Sequence, residues 1–181
     1  MLKILKIGFN LMVVALLGAI ILAFSNNITA PLTKKVEEET KARARKAVIN
    51  ADEFIQIDPE GRFFKAIKDG KLLGYVITAL AKNGYAGSFG VMVGVSPTLK
   101  VVKIKILNQR ETPGLGTKIE EDWFLSQYEG KGVENLVVIK EETADKIQAI
   151  TGATISSKAV TDGVKEGIEE LKKKLTCLEK N

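Results

Sequence analysis

The feature that most constrains this chain is an apolar run close to its N-terminus. Residues 7–24, IGFNLMVVALLGAIILAF, are apolar except for Asn10. A helix of this length, at about 1.5 Å per residue, approaches the roughly 30 Å hydrocarbon core of a bilayer. Ala23 and Ser25 leave a cleaved signal peptide open as the alternative, but the apolar region of such peptides is typically only about 7–15 residues long. The run therefore predicts an uncleaved membrane helix.

The residues on either side of this helix predict its orientation and the character of the next segment. Lys3 and Lys6 precede it, and basic flanking residues tend to stay in the cytoplasm. We therefore expect a single pass through the inner (cytoplasmic) membrane, with the rest of the chain on the extracytoplasmic side. Lysine and glutamate are interleaved over residues 32–46, which is typical of a solvated helix. The predicted domains are a membrane anchor at 1–30, a charged helical stalk at 31–50 and a folded domain at 51–181.

Composition limits the chemistry that this chain can perform by itself. Its formal charge of +5 falls to +3 once Lys3 and Lys6 are set aside, which is too balanced for a nucleic-acid surface. The 181 residues include no histidine, which removes the usual zinc ligand and the usual general base. Cys177 is the one cysteine, so an internal disulfide or a cysteine-ligated cluster within the chain is excluded. This set of residue types favours chemistry supplied by a bound cofactor, or a protein that performs no chemistry.

Two hairpins are predicted in the first part of the domain. Asp69-Gly70 separates two β-rich runs within residues 62–81, and Ser96-Pro97 separates two more within residues 86–107. We expect an antiparallel meander of about four strands. In its last strand Val102, Ile104 and Ile106 alternate with Val101, Lys103 and Lys105, which predicts one apolar and one solvated face.

The second part of the domain has a different pattern. Residues 120–130 predict a short amphipathic helix ending at Gly130, with Trp123 and Phe124 in the core, and residues 134–140 and 146–150 predict two further strands. From Ile155 onward apolar residues repeat at helical spacing. These are Val160, Val164, Ile168, Leu171 and Leu175. The domain is therefore predicted to be α+β, with a largely antiparallel sheet and flanking helices.

The start of this last helix contains an unusual number of hydroxyl groups. In TGATISS, residues 151–157, the chain is expected to leave a strand, turn through Gly152 and open a helix near Thr154. Hydroxyl side chains there can cap the free N–H groups of the first turn, and the same N–H groups can hold a phosphate. The spacing alone favours an ordinary cap and leaves a phosphate site as the second interpretation.

Two glycine-rich stretches precede this motif. In ETPGLG, residues 111–116, glycines on both sides of Leu115 permit close backbone approach to a ligand, and a surface loop is the alternative. In NGYAGSFG, residues 83–90, Tyr85 could stack on a planar ligand, although such hairpins are common.

The order of these motifs behind one N-terminal membrane helix resembles the FMN-binding domain family. RETPGLGTKI and ITGATISSKAV carry the resemblance, with NGYAGSFG before them. In that family the threonine that closes the TGAT tetrad carries FMN through a phosphoester bond, which implies Thr154 here. The resemblance implies a phosphate cradle made of Thr151, Gly152, Ala153 and Ser156. It also implies an isoalloxazine site made of Glu111, Thr112, Gly114, Leu115, Gly116, Lys118 and, as an addition, Tyr85.

The chain departs from the family pattern at two positions. Gln148 stands where an aspartate of the flavin transferase recognition sequence is usual, and Gln109 stands where many members have histidine. The resemblance further implies an electron-transfer subunit of the Rnf type, within a membrane complex that couples ferredoxin:NAD electron flow to ion movement. The implied partners are other membrane subunits, including a second flavin-carrying subunit, and a flavin transferase.

Three alternatives remain at this point. The chain length of 181 residues favours the Rnf type over the longer C subunit of the sodium-pumping NADH:quinone oxidoreductase, which shares fold and cofactor. A flavin-free anchored adaptor would use TGATISS as a plain helix cap. An anchored hydrolase would need a serine activated by Lys158, for which SSK is the one available motif.

Overall fold

The structure, a computed structural model, describes residues 2–178, with side chains described from Lys6 onward. Met1 and residues 179–181, at the ends of the predicted anchor and domain, lie outside the described residues, as does the side chain of Lys3. The chain divides into two compact units, one ending at Thr40 and one beginning at Lys41. The elements are α1 (Leu2–Val48), β1 (Glu53–Gln56), β2 (Phe63–Lys68), β3 (Lys71–Ala81), β4 (Phe89–Val95), β5 (Val101–Ile106), α2 (Asp122–Ser126), β6 (Val138–Ile139), β7 (Ile147–Gln148) and α3 (Thr154–Leu178), with 3₁₀ turns at Gly116–Glu120 and Val133–Asn135.

The first unit is helical from Leu2 onward and apolar over most of its length. An 18-residue window of α1 reaches a mean hydropathy of 2.5, and the helix is long and apolar enough to cross a membrane. Its large side chains are exposed, with Leu11 and Leu22 each 73% accessible. The hydroxyls of Thr29 and Thr33 donate to backbone carbonyls four residues earlier, which satisfies these polar groups within the helix. The pattern matches the predicted membrane helix.

The second unit is built on a five-stranded antiparallel meander in the order β1-β2-β3-β4-β5. Both predicted hairpins are present. Asp69 and Gly70 have φ of 49° and 71°, the two positive values that a type I′ turn requires. β1 adds an edge strand to the predicted four by pairing with β2. β6 and β7 form a separate short pair, which is parallel.

Both faces of the sheet are covered. α3 packs on one face through Val160, Val164 and Ile168, which are fully buried. On the other face Val48 and Ile49 join a second apolar cluster with residues of β2, β3 and β4. The sequence predicted that one face of the sheet is solvated. This prediction is wrong for the centre of the sheet, because the end of α1 covers that face. Val48 and Ile49, two of the last three residues of the predicted stalk, are therefore buried and not solvated.

Three further side chains differ from the prediction in their exposure to solvent. Val101 is buried and Val102 is 43% exposed. Gly94 pairs with Lys103 and Val95 pairs with Val101, so Val102 is the extra residue of a β-bulge that shifts the alternation by one position. Trp123, predicted in the core, is 45% exposed, whereas its neighbour Phe124 is fully buried. α2 is one short turn long, and only one of two adjacent residues can face inward.

Candidate functional site

A cavity of about 440 Å³ opens at the N-terminal end of α3. Its volume lies within the range of roughly 300–1,000 Å³ that is usual for small-molecule sites. Three segments that are distant in sequence form its wall: the loop before β4, the loop after β5 and the start of α3. The lining residues are Tyr85, Glu111, Thr112, Leu115, Gly116, Gly152, Ala153, Thr154, Ile155 and Ser156.

The first turn of α3 presents unused hydrogen-bonding groups to this cavity. Thr154 is exposed on the cavity wall, and no hydrogen bond within residues 6–178 uses its hydroxyl. The first backbone N–H of the helix with a protein acceptor is that of Ser157, which bonds to Ala153 C=O at 3.0 Å. The N–H groups of Thr154, Ile155 and Ser156 precede it and have no acceptor in the described part of the chain. This is the arrangement that binds anions at helix N-termini.

The two serines of the motif have structural partners, in contrast to Thr154. The Ser157 hydroxyl accepts from Ile150 N–H at 3.0 Å and donates to Ala153 C=O at 2.9 Å. It therefore joins the segment that follows β7 to the start of the helix. The Ser156 hydroxyl donates to Glu111 Oε2 at 2.6 Å. Thr154 does not form the cap that the spacing alone favours.

Glu111 connects the three segments of the wall. Its side chain is 3% exposed, and its second carboxylate oxygen, Oε1, accepts from Ala86 N–H at 3.2 Å. Gly116 lies against it: a Cβ built on this glycine would be 2.7 Å from Glu111 Cβ and 3.3 Å from Ser156 Oγ. The loop after β5 can close on the carboxylate only because position 116 has no side chain.

The rest of the wall is mainly apolar. Leu115 and Ile155 are partly exposed beside Tyr85, which is 70% exposed. Gly152 has a φ of 82°, and a Cβ on it would lie 3.1 Å from Leu115 Cδ2. The backbone conformation therefore favours glycine there, and a side chain would in addition crowd Leu115. The surface suits a flat, largely apolar ring system whose edge remains open to solvent.

The position of α3 is fixed behind the cavity by a buried hydrogen bond. Tyr128 and Thr161 are fully buried, and their hydroxyl oxygens are 2.7 Å apart. The Thr161 proton is donated to Ser157 C=O at 2.9 Å, so Tyr128 is the donor of the pair. Burial raises the pKa of Tyr128 well above its usual value, which keeps the phenol protonated for this bond.

All but three of the predicted site residues line the cavity. Thr151 is exposed outside it. The N–H of Gly114 donates to Thr117 Oγ1 at 3.0 Å within its own loop. Lys118 is half-buried in a 3₁₀ turn and does not contribute to the lining. Sequence reasoning missed Ile155. An apolar residue at the helix start that lies off the buried stripe was the signal that could have identified it.

The sequence and fold are similar to those of known proteins. Residues 84–169 match the FMN-binding domain family, and this segment contains the whole cavity wall. The G subunit of the proton-translocating ferredoxin:NAD(+) oxidoreductase complex of Clostridium ljungdahlii is 37% identical over 164 residues, covering 90% of this chain and 88% of that protein. The G subunit of the Na(+)-translocating ferredoxin:NAD(+) oxidoreductase complex of Acetobacterium woodii is 34% identical, covering 91% of this chain and 89% of that protein.

Solved structures with the same fold confirm the predicted fold class. The crystal structure of Shewanella oneidensis NqrC has a TM-score of 0.55 at 23% identity, covering 76% of this chain and 74% of that one. The C subunit of the Na(+)-translocating NADH-quinone reductase of Parabacteroides distasonis has a TM-score of 0.53 at 26% identity, covering 63% and 62% of the two chains. This chain belongs to the FMN-binding domain family, among the G subunits of ion-translocating ferredoxin:NAD(+) oxidoreductase complexes.

Proposed function

We propose that this chain is the electron-transfer subunit of a membrane-bound, ion-translocating ferredoxin:NAD oxidoreductase complex of the Rnf type, and that it carries FMN esterified to Thr154. One observation carries the proposal. The Thr154 hydroxyl has no hydrogen-bond partner in the described chain, and it lies on the cavity wall beside the free N–H groups of α3. A hydroxyl that served only as a helix cap would be hydrogen-bonded to one of those N–H groups.

The residues of the cavity fit the two ends of FMN. The phosphate suits the start of α3, where the N–H groups and the helix dipole favour an anion, and where Gly152 and Ala153 allow close approach. The isoalloxazine suits the wall formed by Leu115, Ile155 and Tyr85, with Thr112 and Gly116 supplying backbone groups. The predicted roles of Thr151, Gly114 and Lys118 remain proposals for residues just outside the lining.

Bound FMN supplies the electron transfer, and the chain supplies position and environment. Glu111 and Ser156 hold the loop after β5 against α3, so the distance between the two binding surfaces is fixed. No side chain has to act as an acid or base for a flavin to relay electrons. The absence of histidine from the sequence is consistent with this role.

The attachment itself must be a transfer reaction. The Thr154 hydroxyl oxygen would attack the flavin-side phosphorus of a flavin dinucleotide. The bond to the nucleoside monophosphate would break, that monophosphate would leave, and the hydroxyl proton would pass to solvent. We propose that a flavin transferase catalyses this step. Gln148, which replaces the usual aspartate, lies in β7 with its N–H bonded to Gln127 Oε1 at 2.7 Å. Neither residue lines the cavity.

The proposed setting is the inner membrane, with α1 as a single-pass anchor and the flavin domain on the extracytoplasmic side. The lysines before the helix support this orientation. The proposed partners are the other membrane subunits of the complex, including a second flavin-carrying subunit, with no role for nucleic acid. Of the two G-subunit relatives, one belongs to a complex named for protons and the other to a complex named for Na(+).

A C subunit of a Na(+)-translocating NADH:quinone reductase is the second candidate, favoured by the solved structures of the same fold. Sequence identity separates the two candidates: 37% to a G subunit over most of the chain, against 23% and 26% to the C subunits. The G-subunit assignment is therefore the stronger one.

The test is the intact mass of the full chain, purified from membranes of a host that contains a flavin transferase. The wild type should gain the mass of FMN less one water, mapped to the peptide that carries Thr154, and Thr154→Ala should remain bare. Thr176→Ala is the control, because it removes an exposed threonine hydroxyl from the same helix, far along the chain from the cavity lining; it should remain flavinylated. A bare wild type would leave a flavin-free adaptor as the better function.

A further inference from the structure

We infer that Lys158 is a cofactor-positioning residue that holds the phosphodiester at Thr154. The inference rests on the proposed function and adds a residue to its site. Lys158 lies four residues after Thr154 on α3, so the two side chains lie on the same face, with Cβ atoms about 5–6 Å apart. Helical side chains lean towards the N-terminus, which directs the ammonium group over the turn that contains Thr154.

The negative charge of the cavity with FMN attached would favour a cation beside the phosphodiester. Both oxygens of Glu111 accept hydrogen bonds, one from Ser156 and one from Ala86, which is the arrangement of a buried carboxylate. A phosphodiester adds a second negative charge only two residues from Ser156. No lysine or arginine lines the cavity in the described part of the chain. The partial positive charge of the helix N-terminus, about half a unit, does not balance the two.

Lys158 is available for this role. Its side chain is exposed, and within residues 6–178 it takes part in no ion pair. Asp162 lies four residues after Lys158 on α3 and is the acidic side chain that could pair with it, but the two form no ion pair. Lys158 and Lys118 both lie outside the cavity lining, but Lys118 is half-buried in a 3₁₀ turn, whereas Lys158 is exposed on the helix that carries Thr154. The ammonium group of Lys158 can therefore approach the unesterified phosphate oxygens without breaking an existing contact.

The test compares the full chain in detergent with and without flavin, made in hosts that contain or lack a flavin transferase. Four forms are needed: wild type, Lys158→Gln, Lys158→Arg as the conservative rescue, and Lys172→Gln as the control. Lys172 is an exposed lysine on the same face of α3, 18 residues after Thr154 and so about 27 Å away along the helix. Intact mass establishes loading, and the thermal midpoint and the ³¹P resonance are then measured on each form.

We expect flavinylation to raise the midpoint of the wild type, and Lys158→Gln to lose on the order of 1–2 °C of that gain at low salt. High salt should shrink the difference, because exposed charges are screened. The ³¹P resonance should shift in Lys158→Gln and stay close to the wild type in Lys158→Arg and Lys172→Gln. A Lys158→Gln chain that stays bare while Lys172→Gln is loaded would also support the role. A loaded Lys158→Gln chain with an unchanged gain and resonance would overturn it and leave the proposed function standing, whereas a bare wild type would remove both.

Discussion

The buried carboxylate of Glu111 gives the sharpest test of how the cavity is held together. Glu111→Ala removes the acceptor for Ser156 O–H at 2.6 Å and for Ala86 N–H at 3.2 Å. A donor left without a partner costs about 1–3 kcal/mol when it is buried, and the open cavity lets water replace part of each bond. We expect a loss of about 2 kcal/mol in the free energy of unfolding, or a midpoint lower by roughly 4–8 °C for a chain of this size.

Glu111→Gln separates hydrogen bonding from charge. Its amide oxygen can accept from Ala86 N–H while its NH₂ group donates to Ser156 Oγ, so both contacts survive and one is reversed. We expect this variant to lose less than about 1 kcal/mol. The assay is thermal and denaturant unfolding of the bare full chain in detergent, with exposed Glu120→Ala as the control. If Glu111→Gln destabilises the chain as much as Glu111→Ala, the charge of Glu111 matters more than its hydrogen bonds, which contradicts this account of the cavity. An unchanged midpoint in Glu111→Ala would refute it as well.

Three other changes have defined outcomes. Gly116→Ala places a Cβ 2.7 Å from Glu111 Cβ and should cost about 1–3 kcal/mol in denaturant unfolding, with less flavin incorporated. Tyr128→Phe removes one buried hydrogen bond and should cost about 1 kcal/mol at pH 7. Folding raises the pKa of Tyr128, so the stability that its hydroxyl contributes is present below pH 10 and is lost as the pH rises further. Between pH 8 and 11.5 the denaturant midpoint should therefore fall less steeply in Tyr128→Phe than in the wild type. Gln148→Asp restores the usual residue before the tetrad and should raise the flavinylated fraction, read by intact mass after a limited expression time; an unchanged fraction would show that position 148 does not limit attachment.

Much of the sheet could be predicted because its signals are local. The turn at Asp69-Gly70 and the alternation along the strands each depend on a few neighbouring residues. The error at Val101 and Val102 arose where a strand contains a bulge, because its position depends on which residues of β4 are available for pairing. Burial of both sheet faces was also outside local reasoning. The cluster that includes Val48 forms only when the end of α1 meets strands much later in the chain.

The site was predicted in the same uneven way. The TGAT motif predicted a site residue at Thr154 through its resemblance to a family, and Thr154 lies on the cavity wall. The bond between Glu111 and Ser156 joins residues 45 apart, and no spacing rule predicts such a pair. Lys118 and Gly114 lie in the right loop, but their orientation depends on a 3₁₀ turn and an internal hydrogen bond that their residue types do not reveal.

The wide mouth of the cavity, where Tyr85 is 70% exposed, has a consequence for how tightly a flavin must be gripped. A ligand that bound such an open surface only by non-covalent contacts would have to be supplied continuously from solution. A flavin tethered at Thr154 binds its own cavity intramolecularly, at an effective concentration in the millimolar range for a short linker. The isoalloxazine ring then stays in the cavity if the dissociation constant for its non-covalent binding is well below that range. The wall is free to leave one edge of the ring uncovered, which is the edge that an electron-exchange partner has to approach.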